Sequence, residues 1–153
     1  MKKILMAVLF LACGLTAFSQ EKKMSAGLGL EWNMDSRHNF AGGTLFNFDF
    51  KLPRFMTLGL TVKGSSNFKD TYVIEPALMF RAYKLENEYK GFYFQYDLGA
   101  SIIKEEDDVW TVPLVAVGAG YRFHLGSSFY IEPYGRLGYP VVFGIGAVAG
   151  IRF

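Results

Sequence analysis

Cysteine is almost absent from the chain: Cys13 is the only one. No intramolecular disulfide can form, and neither a CxxC redox pair nor a cysteine zinc cluster is present. Histidine occurs twice, as His38 and His124. No HExxH, P-loop or dinucleotide fingerprint appears. A surplus of one charge is also missing. Lys and Arg number 16 against 14 Asp and Glu, an excess of two that is too small to attract nucleic acid, so no nucleic-acid partner is expected. No stretch reaches the roughly 18 apolar residues that a membrane-crossing helix needs. Helical spacing fails nearly everywhere, and there is no linker, low-complexity tract or long-period repeat.

What is present begins with a leader. Lys2 and Lys3 form a positive start, Ile4 to Ala12 a short apolar core, and Ala17-Phe18-Ser19 a small-residue cleavage site. The expectation is a signal peptide over 1–19 and a mature domain over 20–153. Cleavage removes Cys13, Lys2 and Lys3, so the mature chain carries 14 bases and 14 acids and no thiol.

The mature chain alternates. From Met24 to Met34 the even positions are apolar and the odd ones, Ser25, Gly27, Gly29, Glu31 and Asn33, are polar or small. Strict alternation of this length is a strand with one apolar face. Similar strands are predicted over about 42–52, 55–63, 71–82, 92–102, 110–123, 129–138 and 141–153. The phase of the sixth is ambiguous in its first half, and bulges are expected at Pro76 and near Pro113. The last strand, VVFGIGAVAGIRF, puts Val141, Phe143, Ile145, Ala147, Ala149, Ile151 and Phe153 on one wholly apolar face. It is about twice the usual length of a strand in a soluble domain.

The charges fall on the other face. Glu31, Asp49, Glu75, Asp97 and Glu132 share it with Lys51, Lys63, Arg81, Arg122, Arg136 and Arg152. On a lipid-facing surface each Arg or Lys would cost roughly 2–4 kcal/mol at mid-depth. Inside a small barrel the same groups can pair. These eleven residues are the candidate interior network, with a structural role. Outward aromatics fall into two belts: Phe50, Phe80, Phe92, Phe123 and Phe153 near the rim with the chain ends, and Trp32, Tyr72 and Tyr139 near the other. A soluble β-sandwich or lipocalin-like barrel would also alternate, but with a charged outer face and strands nearer 5–6 residues. The fold class expected is all-β, an eight-stranded antiparallel up-and-down transmembrane β-barrel.

In this pattern the chain resembles the small eight-stranded outer-membrane barrels of Gram-negative bacteria, with OmpA-like and OmpX-like domains. The resemblance covers the whole mature chain. Its most specific part is the closing strand, where Ile151 and Phe153 match the family's assembly signal. Val148 stands where that signal has glycine, with Gly146 and Gly150 on either side. The resemblance implies location in the cell outer membrane and insertion by the outer-membrane assembly machinery. Outer-membrane lipid and lipopolysaccharide would be its surroundings.

Chemistry is thinly encoded. His38 lies in an outer loop with Asp35 and Ser36, the residue types of a nucleophilic site, as a lipid-modifying enzyme would need. Chance placement explains them as well. His124 reads as a turn residue. Glu105-Glu106-Asp107-Asp108 offers hard oxygens to a divalent cation but no ligand spacing. No catalytic, cofactor-binding or metal-ligating residue is assigned, and no cofactor is expected. An eight-stranded interior is just wide enough for side chains, so the lumen should be plugged. The expected role is structural, in envelope integrity or surface interaction, with no catalysis. A small channel or hydrophobic-ligand transporter is the alternative.

Overall fold

Period-two alternation commits each segment to a strand, and eight such strands close on themselves. The structure, a computed structural model, describes residues 23–35, 40–84, 89–105 and 108–153. The predicted leader with Cys13 lies outside the described residues, as do Ser36, His38, Glu106 and Asp107.

The strands are β1 (Met24–Asp35), β2 (Phe40–Lys51), β3 (Met56–Ser66), β4 (Thr71–Tyr83), β5 (Gly91–Glu105), β6 (Asp108–Leu125), β7 (Phe129–Tyr139) and β8 (Val141–Arg152). Each pairs antiparallel with the next, and β8 returns to β1, forming a closed barrel. Closure joins the last strand to the first, so no strand of the wall is left as a free edge along its whole length. The chain ends are tied together: Met24 N–H donates to the Phe153 carbonyl at 3.0 Å, and Phe153 N–H donates back to Met24 at 2.9 Å.

Two expected bulges are not there. β4 pairs with β5 in one register on both sides of Pro76: Ile74 faces Ile102 and Ala77 faces Gly99. Proline removes ladder bonds locally but inserts no residue. β5 and β6 likewise keep one register from Gly91–Arg122 to Glu105–Asp108, straight past Pro113. Pairing of β6 with β7 begins only at Val115. Pro113 therefore lies where β6 has a strand on one side only, a position that tolerates a missing donor.

The one irregularity in the closing seam lies elsewhere. Met34 faces Phe143 but Asp35 faces Val141, a shift of one residue. The shift reverses the phase at the top of β8. Val141 is buried, whereas Val142 and Phe143 are both exposed. Val141 is thus on the inner face, contrary to the alternation of its own strand. The phase of β6 is now defined: Leu114 and Ala116 face inward, Pro113, Val115 and Val117 outward.

The outer wall is apolar. Leu28, Leu60, Leu78, Leu98 and Ile145 are all more than half exposed. Trp32, Tyr72 and Tyr139 are exposed at one rim, and Phe50, Phe92 and Phe123 at the other. The largest fully buried side chains include Arg81, Arg122 and Arg136. A water-soluble domain has the reverse distribution.

Candidate functional site: an ion-paired lumen

Inward positions on all eight strands aim at one narrow lumen. Small residues make the space. Gly144 stands beside Arg136, where a Cβ would lie 3.1 Å from Arg136 Nε. A Cβ at Gly120 would collide with the Tyr93 ring.

Near the rim with the chain ends, two arginines hold two acids. Arg122 Nη2 donates to Asp49 Oδ2 at 3.0 Å and its Nε to Glu132 Oε2 at 2.6 Å. Arg81 reaches the same pair, 3.3 Å from Asp49 Oδ2 and 2.7 Å from Glu132 Oε1. Each acid therefore meets both arginines. Ser25 Oγ donates to Asp49 at 2.7 Å, and Tyr93 OH donates to Glu132 at 2.9 Å. Both guanidinium groups also lie over rings, Arg81 4.8 Å from the Tyr93 centroid and Arg122 4.3 Å from that of Tyr130.

Gln95 links this group to the middle. Arg81 Nε donates to Gln95 Oε1 at 2.7 Å, and Gln95 Nε2 donates to Asp97 at 2.8 Å. Asp97 in turn accepts from Lys63 Nζ at 2.6 Å.

A third group lies toward the opposite mouth. Arg136 Nη2 donates to Glu31 Oε1 at 2.9 Å and to Glu75 Oε2 at 2.6 Å. Tyr134 OH donates to Glu31 Oε2. Above them, Asn33, Ser65, Asn67 and Thr71 help line a small mouth cavity of about 70 Å³.

Nine of the eleven predicted network residues are buried: Glu31, Asp49, Lys63, Glu75, Arg81, Asp97, Arg122, Glu132 and Arg136. Lys51 and Arg152 are not. Both share the inward phase, but they sit at the last turn of their strands, where a long side chain reaches the rim. Lys51 Nζ lies 4.7 Å from the centroid of the Tyr89 ring. Arg152 Nη2 donates to the Ser127 carbonyl at 3.0 Å in the β7 turn. Tyr89 OH is anchored to the Leu52 and Arg54 carbonyl oxygens, and burial pushes its phenol above the usual range. His124 belongs to β6, not to a turn. It is half-buried, with Nε2 donating to the Tyr89 carbonyl at 3.1 Å.

Sequence reasoning left Ser25, Tyr93, Gln95 and Tyr134 out of the network. Their signal was phase: all four stand on the charged face. The predicted network holds only formally charged groups, whereas a buried phenol also needs a partner for its hydroxyl. Glu105 faces Asp108 across the end of the β5–β6 hairpin. Among the described residues no group of three His, Cys, Asp or Glu could hold a metal ion.

An apolar wall closed around a charged, hydrogen-bonded interior is the architecture of a transmembrane β-barrel. Solved structures of that class are similar in fold. They include the outer membrane protein Ail of Yersinia pestis in a phospholipid bilayer nanodisc (TM-score 0.59, 15% identity, 87% of this chain and 100% of that one). The Neisserial surface protein NspA gives TM-score 0.59 at 11% identity, over 84% of this chain and 94% of that one. The N-terminal barrel domain of Pseudomonas aeruginosa OprF gives 0.57 at 13%, over 84% and 97%. No protein-family model and no curated protein matches the chain.

Proposed function

We propose that this protein is an integral barrel of a bacterial outer membrane with a closed lumen and a non-catalytic role in envelope structure or surface interaction. The observation that carries the reading is the inversion of the molecule. Apolar side chains cover the wall, while five acids and four bases are buried within, among the described residues. Only lipid makes such a wall favourable. The fold it shares with Ail, an outer membrane protein, supports the same location. In this reading lipid and lipopolysaccharide surround the wall, and Ile151 and Phe153 serve the assembly machinery. Phe153 is nearly covered, its ring centroid 6.3 Å from that of Phe48. Ile151 remains exposed.

The closed lumen separates this role from that of a pore. Arg81 and Arg122 each grip both Asp49 and Glu132, so an ion would have to break several buried pairs to pass. The refolded barrel, shown to be inserted by the difference in gel migration between unboiled and boiled samples, should give no discrete current steps in a planar bilayer. Reproducible steps would replace the structural reading with a channel.

A further inference from the structure

The outer wall carries one recess that packing does not explain. On β3 the outward residues run Leu58, Leu60, Val62, Gly64. No heavy atom lies within 4 Å of a Cβ built at Gly64, and its φ is outside the left-handed region. Neither close approach nor backbone conformation therefore calls for glycine there. Inward glycines differ: a Cβ at Gly29 would stand 2.9 Å from a Val148 methyl.

Gly64 and its cross-strand neighbour Thr44 form the floor. Leu30 borders Thr44 on one side and Ile74 borders Gly64 on the other. Phe46 and Val62 close the end toward mid-wall. The recess is a shallow, outward-open space of about 700 Å³, and a second open space of about 360 Å³ continues it toward the rim over Gly42 and Ser66. From Ser66 to Val62 the floor runs roughly 14 Å along the strand, at about 3.4 Å per residue.

The rim end is built, not loose. Asn67 Oδ1 accepts from the backbone N–H of Lys69, Asp70 and Thr71 at 3.0, 3.2 and 3.0 Å. Phe68 N–H donates to Ser66 Oγ at 3.0 Å. This loop sets the exposed Phe68 ring 3.0 Å from where a Gly42 Cβ would stand, beside Trp32. Exposed Lys104 lies next to Tyr72 at the same rim, on the outward face.

We propose that this recess seats one acyl chain of a bilayer lipid, with the lipid's anionic headgroup at Lys104. The inference rests on the membrane reading above. In hydrocarbon a recess without filling atoms forfeits dispersion contacts along its whole lining, and an apolar lining gives water too few partners. A chain lying along the strands fits its shape, and Lys104 is an exposed cation beside Tyr72, which lines the rim end of the recess.

The test uses the full chain inserted into vesicles of mixed phosphatidylglycerol and phosphatidylcholine. The barrel is released into detergent and weighed by native mass spectrometry. The wild type should retain one phosphatidylglycerol. Gly64→Phe and Thr44→Phe should retain none, while Leu98→Phe, elsewhere on the wall, keeps it. Lys104→Gln should keep a lipid but lose the preference for phosphatidylglycerol. Equal retention by the wild type and Gly64→Phe, or none by either, in protein shown to be inserted, overturns the lipid seat and leaves the membrane reading standing. A dimer present in the wild type and lost in Gly64→Phe also overturns it, making the recess a contact between copies. Failure of the wild type to insert overturns both readings.

Discussion

Replacing Arg136 with leucine lowers the stability of the barrel by about 3–5 kcal/mol, the range for breaking a buried pair by removing one partner. Among the described residues Arg136 is the single guanidinium in contact with both Glu31 and Glu75, and it is 2% exposed. Leucine fills part of the space but leaves two buried carboxylates without their shared cation. Lys63 cannot take over without leaving Asp97, 2.6 Å away. The loss should appear as a lower midpoint of urea unfolding in lipid vesicles. Adding Glu31→Gln and Glu75→Gln to Arg136→Leu should recover most of it, because the unpaired charge is then gone. Arg122→Leu should cost less, since Arg81 still holds both Asp49 and Glu132. An unchanged midpoint for Arg136→Leu would show that the lumen charges do not need each other.

The second large effect is on the outside. Leu98 is 58% exposed and lies at mid-wall, flanked by Leu78 on β4 and Val115 on β6. Leu98→Arg should destabilise the inserted barrel by about 2–4 kcal/mol, the cost of arginine near a bilayer midplane. An exposed site on a water-soluble barrel would register the same change within about 0.5 kcal/mol. The comparison is cleanest as an unfolding midpoint in vesicles, with Phe123→Arg at the rim as a milder counterpart. A Leu98→Arg midpoint equal to that of the wild type would remove lipid from the account.

Both predictions depend on which face a residue occupies, and that was largely legible in the sequence. One phase assignment per strand placed Glu31, Asp49, Glu75 and Glu132 among Arg81, Arg122 and Arg136 without knowledge of their partners. Partners depend on how neighbouring strands are staggered, which a single strand does not encode. Val141 shows the limit. Its strand alternates without interruption, yet the one-residue shift against β1 at Met34 and Asp35 turns it inward. Lys51 and Arg152 show a second limit. Phase gives the direction of a side chain but not its depth, and near a rim a long cation turns to a ring or a turn carbonyl. The prolines erred the other way. A missing donor suggests a bulge at Pro76 and Pro113, but at Pro76 the ladder skips a bond and keeps its register, and Pro113 sits where β6 has a strand on one side only. The recess at Gly64 left almost no trace in the sequence, because a glycine on the outer face looks like any other until its neighbours are in place.

The most direct test of the inverted barrel is an accessibility scan along β5. Cys13 is replaced by serine, and single cysteines carrying a nitroxide are placed in turn at Phe94, Gln95, Tyr96, Asp97 and Leu98 in the vesicle-inserted protein. Oxygen, which concentrates in hydrocarbon, should broaden the signal at Phe94, Tyr96 and Leu98. Gln95 and Asp97 should be shielded from both oxygen and a water-soluble nickel complex, as the lumen is packed and ion-paired. The nickel complex broadening Phe94, Tyr96 and Leu98 instead would place the apolar wall in water and contradict the account.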